Sequence, residues 1–410
     1  MARLLLTTMR APPHDGRAPT ALHVAGPSAT GRILPVVWFT FVCYFTIGAQ
    51  LAILPSYVHG RLGLGTVMAG LVISTQYVAT VVSRPLAGRM TDALGPKRTV
   101  VYGLLACAGS GAFSLAGAWC GASWLGLASL LASRLMLGAA ESMGSTGATM
   151  WGIARVGHAQ TAKVIAWNGS ATYGALALGA PVGVMLQQRW GYASVGAVVL
   201  ALSAASVVVA LRMAPATVAR GEPIAFRRIL AHVAPHGMGL ALGSVGFGVL
   251  AAFITLYYAE RGWSGAALSL TVYGVSFMGG RFLLSGPIAR FGGFPVAAAS
   301  LAVECLGLAL LALAPAPAVA FCGAGLTGFG FSAVFPALAL EAVHHVPAAN
   351  RGAALGAYTA FLDLGLFASG PAAGAVIDAS GYPAGFLFAA AAVAVSFGLT
   401  LWLASRPPAR

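Results

Sequence analysis

Arg134, Glu141 and Asp363 stand inside long apolar stretches of this sequence, where a charge is costly unless it is used. The first two lie in Arg134-Leu135-Met136-Leu137-Gly138-Ala139-Ala140-Glu141-Ser142, the third in Tyr358-Thr359-Ala360-Phe361-Leu362-Asp363-Leu364-Gly365. On insertion scales a charged residue at the centre of a membrane helix costs about 2.5–3.5 kcal/mol. Seven residues make two helical turns, so Arg134 and Glu141 share a face with their backbones ~10 Å apart. That is too long for a tight direct pair. Either the two are structural ion partners of neighbouring helices, or they face a wet cavity open to a solute or a proton. Asp363 has no basic residue within two turns on its own helix. A carboxyl in such a place is neutral while dry and ionises when water or a cation arrives, which is what a proton-coupling group requires. The alternative is a permanently neutral acid that joins helices by a hydrogen bond. Asp363 and Glu141 are the candidate proton carriers.

Amide and aromatic side chains at similar depth are candidates for the walls of such a cavity: Gln50, Asn168, Tyr173, Tyr257 and Tyr358, with Tyr44, Tyr258 and Tyr273 beside them. Each aromatic is as readily a packing or interfacial group. A second cluster is basic. Arg84 and the run Gly88-Arg89-Met90-Thr91-Asp92-Ala93-Leu94-Gly95-Pro96-Lys97-Arg98 place one carboxylate, Asp92, among cations, with Gly88 and Gly95 allowing close approach of helix ends. The chemistry this permits is an electrostatic latch; the plainer reading is a basic turn. Glu341 and Arg351, with His344 and His345 between them, are expected to form a second cluster on the same side. The histidine pair is no metal motif, because adjacent helical residues point about 100° apart. Cys43, Cys107, Cys120, Cys305 and Cys322 form no CxxC pair and read as small apolar fillers, so no metal is expected.

The elements that hold these residues follow from composition. Of 410 residues, 59% are hydrophobic and 8% charged, against about 25% charged in soluble domains; mean hydropathy is +0.85. That excludes an ordinary soluble enzyme and a disordered chain. The long, unalternating apolar runs exclude a transmembrane barrel. At about 20 residues per span, an all-α membrane protein of twelve helices is predicted. Residues 1–32 are expected to be a flexible cytoplasmic tail, 33–213 and 235–404 two six-helix halves, 214–234 a cytoplasmic linker and 405–410 a second cytoplasmic tail. With both termini in the cytoplasm, nineteen of the 23 Lys and Arg residues fall on cytoplasmic segments and Arg61, Arg189 and Arg261 on the other side. This positive-inside bias accounts for the net charge of +14 without nucleic acid as a partner.

The halves repeat. Gly138, Pro181, Gly191 and Tyr192 correspond to Gly328, Pro371, Gly381 and Tyr382, and at a slightly larger offset Arg84 and Gly95 correspond to Arg281 and Gly292. Ala289 stands where Asp92 would recur, so any latch is asymmetric. Parallel repeats of this kind place a substrate site between the halves near the midplane.

On the loop Gly88 to Arg98, the sequence resembles the major facilitator superfamily (MFS). It keeps Gly88, Asp92, Gly95, Lys97 and Arg98 of the family's loop signature, with Ala93 at a usually basic position. Around Asp363 and over Gly138 to Gly157 it is similar to the uncharacterised YhhS/YfcJ-type bacterial branch. The resemblance implies the MFS fold, transport by alternating access, and a cavity role for Arg134, which is followed four residues later by Gly138 as the family often has it. It also implies a peripheral, structural place for Glu304. Gly179, Pro181 and Gly183, matched by Gly370 and Pro371 in the second half, resemble a degenerate form of the family's antiporter helix-bend motif. They imply export; the alternative from the residues is generic helix packing. The expectation is a monomeric secondary transporter of the bacterial inner membrane, powered by the proton gradient with no cofactor and exporting a small organic molecule by proton antiport. Its partners are that solute, protons and the lipid bilayer. A proton symporter importing a sugar or organic acid, and a non-transporting membrane receptor, are the alternatives. The sequence shows no nucleotide-binding, nucleophile or metal motif that would make an enzyme.

Overall fold

The computed structural model describes residues 29–121, 123–157, 160–216, 226–344, 346 and 351–405. The expected N-terminal tail up to residue 28, the linker segment 217–225, His345 and residues 406–410 lie outside the described residues, as do the side chains of Arg227, Arg228 and Arg351. Among the described residues there are twelve long helices and no strand. The first half contains α1 (Ala29–Leu51), α2 (Thr66–Leu94), α3 (Pro96–Cys120), α4 (Trp124–Val156), α5 (Thr161–Trp190) and α6 (Tyr192–Arg212). The second contains α7 (Phe226–Glu260), α8 (Ala266–Phe291), α9 (Gly293–Ala312), α10 (Pro317–His344), α11 (Arg351–Ser380) and α12 (Tyr382–Ala404). Short helical segments, Leu54–Ser56 and Tyr57–Arg61, extend α1.

Eleven helical runs are long and apolar enough to cross a membrane. The exception is α4, which carries Arg134, Glu141 and Arg155. Segment boundaries differ from the sequence reading. The tail expected to reach residue 32 gives way to α1 at Ala29, the linker expected over 214–234 gives way to α7 at Phe226, and α2 runs on through the basic run to Leu94. In these places the helix continues with polar residues, which backbone hydrogen bonding tolerates and a hydropathy window does not register. Repeat-related turns are built alike. Gly95 and Gly292, at φ +88° and +87°, each end one helix and start the next in a conformation that costs a side-chain-bearing residue strain.

Packing repeats as well. In the first half α3 packs on α4, α1 on α5, α2 on α4 and α3 on α6; in the second α9 packs on α10, α7 on α11, α8 on α10 and α9 on α12. The halves meet through α2 against α11 and α5 against α8, pairs that exchange under the same correspondence. Because the helices alternate in direction, one end of the bundle carries the Gly95 and Gly292 turns and the other the Gly191 and Gly381 turns. At the Gly191 end the halves are closed on each other. The Thr66 hydroxyl donates to the Gly374 carbonyl at 3.4 Å and to the Asp378 carboxylate. Gly70 meets the backbone of Gly370, where a Cβ would lie 2.6 Å from the carbonyl oxygen. The Thr271 hydroxyl donates to the Ala177 carbonyl at 3.0 Å.

Candidate functional site

Between the halves lies a cavity of about 260 Å³, walled by α1, α2, α4 and α5 on one side and α7, α8, α10 and α11 on the other. Its lining includes Glu141 and Asp363 toward mid-helix and extends to Thr149, Ile165, Asn168, Leu355 and Thr359 on the Gly95 side of them. The cavity thus leads toward the Gly95 end, opposite the closed end.

Glu141 is 5% exposed and accepts three hydrogen bonds from neutral donors. Gln76 Nε2 donates at 2.9 Å, the Thr80 hydroxyl at 3.2 Å and the Tyr44 hydroxyl at 3.2 Å. Arg134 does not line the cavity with it. The shared face is real, but Gln76 of α2 fills the gap of two turns: Arg134 Nη2 donates to Gln76 Oε1 while the same amide donates to Glu141. Arg134 Nη1 also reaches Gln50 Oε1 at 3.4 Å. The chain Arg134–Gln76–Glu141 polarises the amide, and each bond strengthens the next. Arg134 therefore acts on the cavity through Gln76, and Gln50 belongs to that buried layer, bonded to Ser110 at 3.4 Å.

Asp363 is 1% exposed; its own helix offers no basic residue within two turns, but a neighbouring helix does. Arg84 of α2 holds it bidentately, Nε to Oδ2 and Nη2 to Oδ1, the latter at 3.1 Å. This corrects the placement of Arg84 at the cytoplasmic gate. Ten residues separate it from the end of α2, ~15 Å at helical rise, which carries the guanidinium into the cavity wall. A charge-assisted bidentate pair now joins the two halves. Its repeat counterpart, Arg281 of α8, also lines the cavity, donating to the Ser332 carbonyl at 3.3 Å and lying 6.0 Å from the Phe335 ring. Sequence reasoning counted both arginines as loop charges; their recurrence at matched positions was the available signal.

Asn168 and Tyr173 line the cavity; the Thr40 hydroxyl donates to Asn168 Oδ1, and Tyr173 stacks on Phe277. Tyr257 and Tyr358 do not line it. Tyr257 is buried near the closed end with its hydroxyl on the Leu311 carbonyl at 3.1 Å, and Tyr358 lies behind Phe335, bonded to that residue's carbonyl at 3.1 Å. Tyr358 has the depth of the cavity but faces away from it, whereas Tyr257, in the last turn of α7, lies beyond it.

At the Gly95 end, Asp92, Gly95, Lys97 and Arg98 line a surface cleft with Leu211 and Pro215. Lys97 is not a cross-half latch partner here: its Nζ donates to the carbonyls of Leu211 and Met213 at 2.8 and 2.7 Å, holding the end of α6 in the same half. Gly88 faces open space, with no atom within 4 Å of where its Cβ would lie. Glu341 does not form a second latch either; it accepts from the Gly293 amide at 2.8 Å, capping α9, where a carboxylate complements the helix dipole. Gly179 and Gly183 press against Phe45 and Ala49 of α1, and Gly370 against Gly70 of α2. Pro181 and Pro371 lie inside uninterrupted helices. Among the described residues no group of His, Cys, Asp or Glu has metal-ligand geometry.

The family model described as Major Facilitator Superfamily matches residues 36–369. The chain belongs to the Major Facilitator Superfamily. An uncharacterized MFS-type transporter of Burkholderia mallei (strain SAVP1) is 54% identical over 383 residues, covering 92% of this chain and 93% of the relative. One of Pseudomonas aeruginosa (strain UCBPP-PA14) is 53% identical over 389 residues, covering 95% and 97%. Among solved MFS structures, the fold matches that of nucleoside transporter NupG with TM-score 0.74 at 16% identity, over 92% of this chain and all of that one. It matches a D-xylose-proton symporter with TM-score 0.70 at 14% identity, over 89% and 97%. The protein is a multi-pass membrane transporter of the superfamily, working by secondary transport, and not an enzyme.

Proposed function

We propose that this MFS protein is a proton-coupled exporter of a small organic solute, working as a monomer in the bacterial inner membrane with the proton gradient as its energy source. The observation that carries the coupling is the Arg84–Asp363 pair, its carboxylate buried and its guanidinium half-buried, which joins the two halves inside the cavity. A proton on Asp363 removes the charge that holds Arg84 and loosens the link between α2 and α11, so protonation and the movement of the halves are one event. Glu141, held by Gln76, Thr80 and Tyr44, is the second carboxyl lining the same cavity. Export by exchange rests on the Gly179–Pro181–Gly183 resemblance; import by proton symport uses the same pair in the opposite sense.

The test is solute-driven proton movement in liposomes. Asp363→Asn is expected to abolish accumulation driven by a pH gradient while retaining solute counterflow. An Asp363→Asn protein that moves protons like the parent rejects Asp363 as the carrier. Inside-out vesicles set the direction: an exporter accumulates solute when the vesicle interior is acid.

A further inference from the structure

The repeat that relates Arg84 to Arg281 breaks at their partners. On α11, Asp363 holds Arg84 and Thr359 lines the cavity one turn away; the corresponding positions on α5 are Tyr173 and Gly169. Arg281 reaches across to that same stretch, with its Nη2 3.6 Å from where a Cβ of Gly169 would stand. No carboxylate waits there. Among the described residues Arg281 has the Ser332 carbonyl and the Phe335 ring, and no acidic side chain within ion-pair distance. The two carboxylates of the lining are engaged elsewhere: Asp363 holds Arg84, and Glu141 is bonded to Gln76, Thr80 and Tyr44, with Arg134 behind Gln76 outside the lining. Arg281 is the cavity cation left over.

We propose that the transported solute supplies the missing counter-ion: a small organic monocarboxylate whose carboxylate docks on Arg281 over Gly169 and whose apolar body lies against Phe247, Phe331 and Phe335. A guanidinium offers a planar fork that matches a carboxylate bidentately. One unmatched cation suits a monoanion, whereas a dianion would need a second. A cavity of about 260 Å³ limits the body to one ring or a short chain. Gly169 leaves the guanidinium face clear, because a side chain there would meet Arg281 first. The inference rests on the reading of this cavity as the transport site but not on proton coupling.

The experiment is binding to the purified full-length chain in detergent, without a gradient, by thermal shift and calorimetry. The probes are benzoate and hexanoate, with benzamide, hexanamide, benzylamine and hexylamine as matched neutral and cationic controls. The carboxylates are expected to stabilise the protein and the controls are not. Arg281→Gln is expected to weaken carboxylate binding by about tenfold or more. Gly169→Asp places an internal carboxylate beside Arg281 and is expected to abolish the carboxylate response while the protein still melts cooperatively. That variant serves where Arg281→Gln fails to fold. Amides or amines that bind as well as the acids, carboxylates that bind both variants like the parent, or no response to either acid, overturn the proposal. Because no proton moves in this assay, its failure leaves the coupling role of Asp363 to the flux measurement, and the reverse holds too.

Discussion

Replacing Asp363 by Asn removes a charge and almost no volume, and leaves the Arg84 guanidinium without a counter-ion in the cavity wall. Breaking one side of a buried pair typically costs about 3–5 kcal/mol, whereas neutralising both sides is far less costly. Asp363→Asn and Arg84→Gln are each expected to lower the melting temperature, and the double variant to fall well short of the sum of the two losses. Strict additivity in that cycle would mean the pair contributes nothing to the state described. The carboxyls were legible in the sequence, since Glu141 and Asp363 declare themselves by sitting at depth in apolar helices. Their partners were not. Arg84 is 279 residues from Asp363, and no local pattern encodes which faces of two distant helices meet. Gln76, the link between Arg134 and Glu141, is an uncharged residue in an ordinary apolar stretch and gives no signal until α2 and α4 are docked.

At the scale of elements, the contact between α2 and α11 is made by small residues. A methyl at Gly70 would meet the Gly370 carbonyl carbon at 2.7 Å, backbone that cannot swing aside like a side chain. Gly70→Ala is expected to prise the Gly191 end apart at a strain of about 1–3 kcal/mol, shifting the population toward the state open at that end. A cysteine at Ser74, which is 0% exposed in the closed arrangement, reports this in a background without the native cysteines. Its reaction with a membrane-impermeant maleimide added outside cells should quicken in the Gly70→Ala chain. An unchanged labelling rate would show that the glycine contact does not hold the end shut. The helices themselves were readable from apolar run length, with ends displaced where polar turns continue, as at Leu94 and Phe226. The supposed bend motif on α5 reads differently once docked: Gly179 and Gly183 are the flat side against which α1 lies.

Over the whole molecule, the matched contacts of α1–α6 and α7–α12 make the internal repeat a property of packing as well as of sequence. Charge is distributed less evenly. With Arg84 and Arg281 withdrawn into the cavity, seventeen rather than nineteen Lys and Arg residues remain for the Gly95 end and the tails, against Arg61, Arg189 and Arg261 at the other. The bias still predicts that the Gly95 end is cytoplasmic. A fluorescent protein fused after Arg410 should therefore fluoresce and an alkaline phosphatase fused there should stay inactive; the reverse pair of results would invert the orientation and with it the side to which the cavity leads. The closed end carries one more consequence. Although Gly70 meets Gly370 backbone to backbone, the same end also packs the Phe253 ring beside Gly70 and stacks Tyr173 of α5 on Phe277 of α8. Parting the halves there wets hydrocarbon, and heat capacity rises with the apolar area wetted, about 0.45 cal/mol/K per Å². The ratio of the two end states should then follow a curved van't Hoff plot to the extent that closing the other end does not bury as much, so temperature joins protons and solute in setting which way the transporter faces.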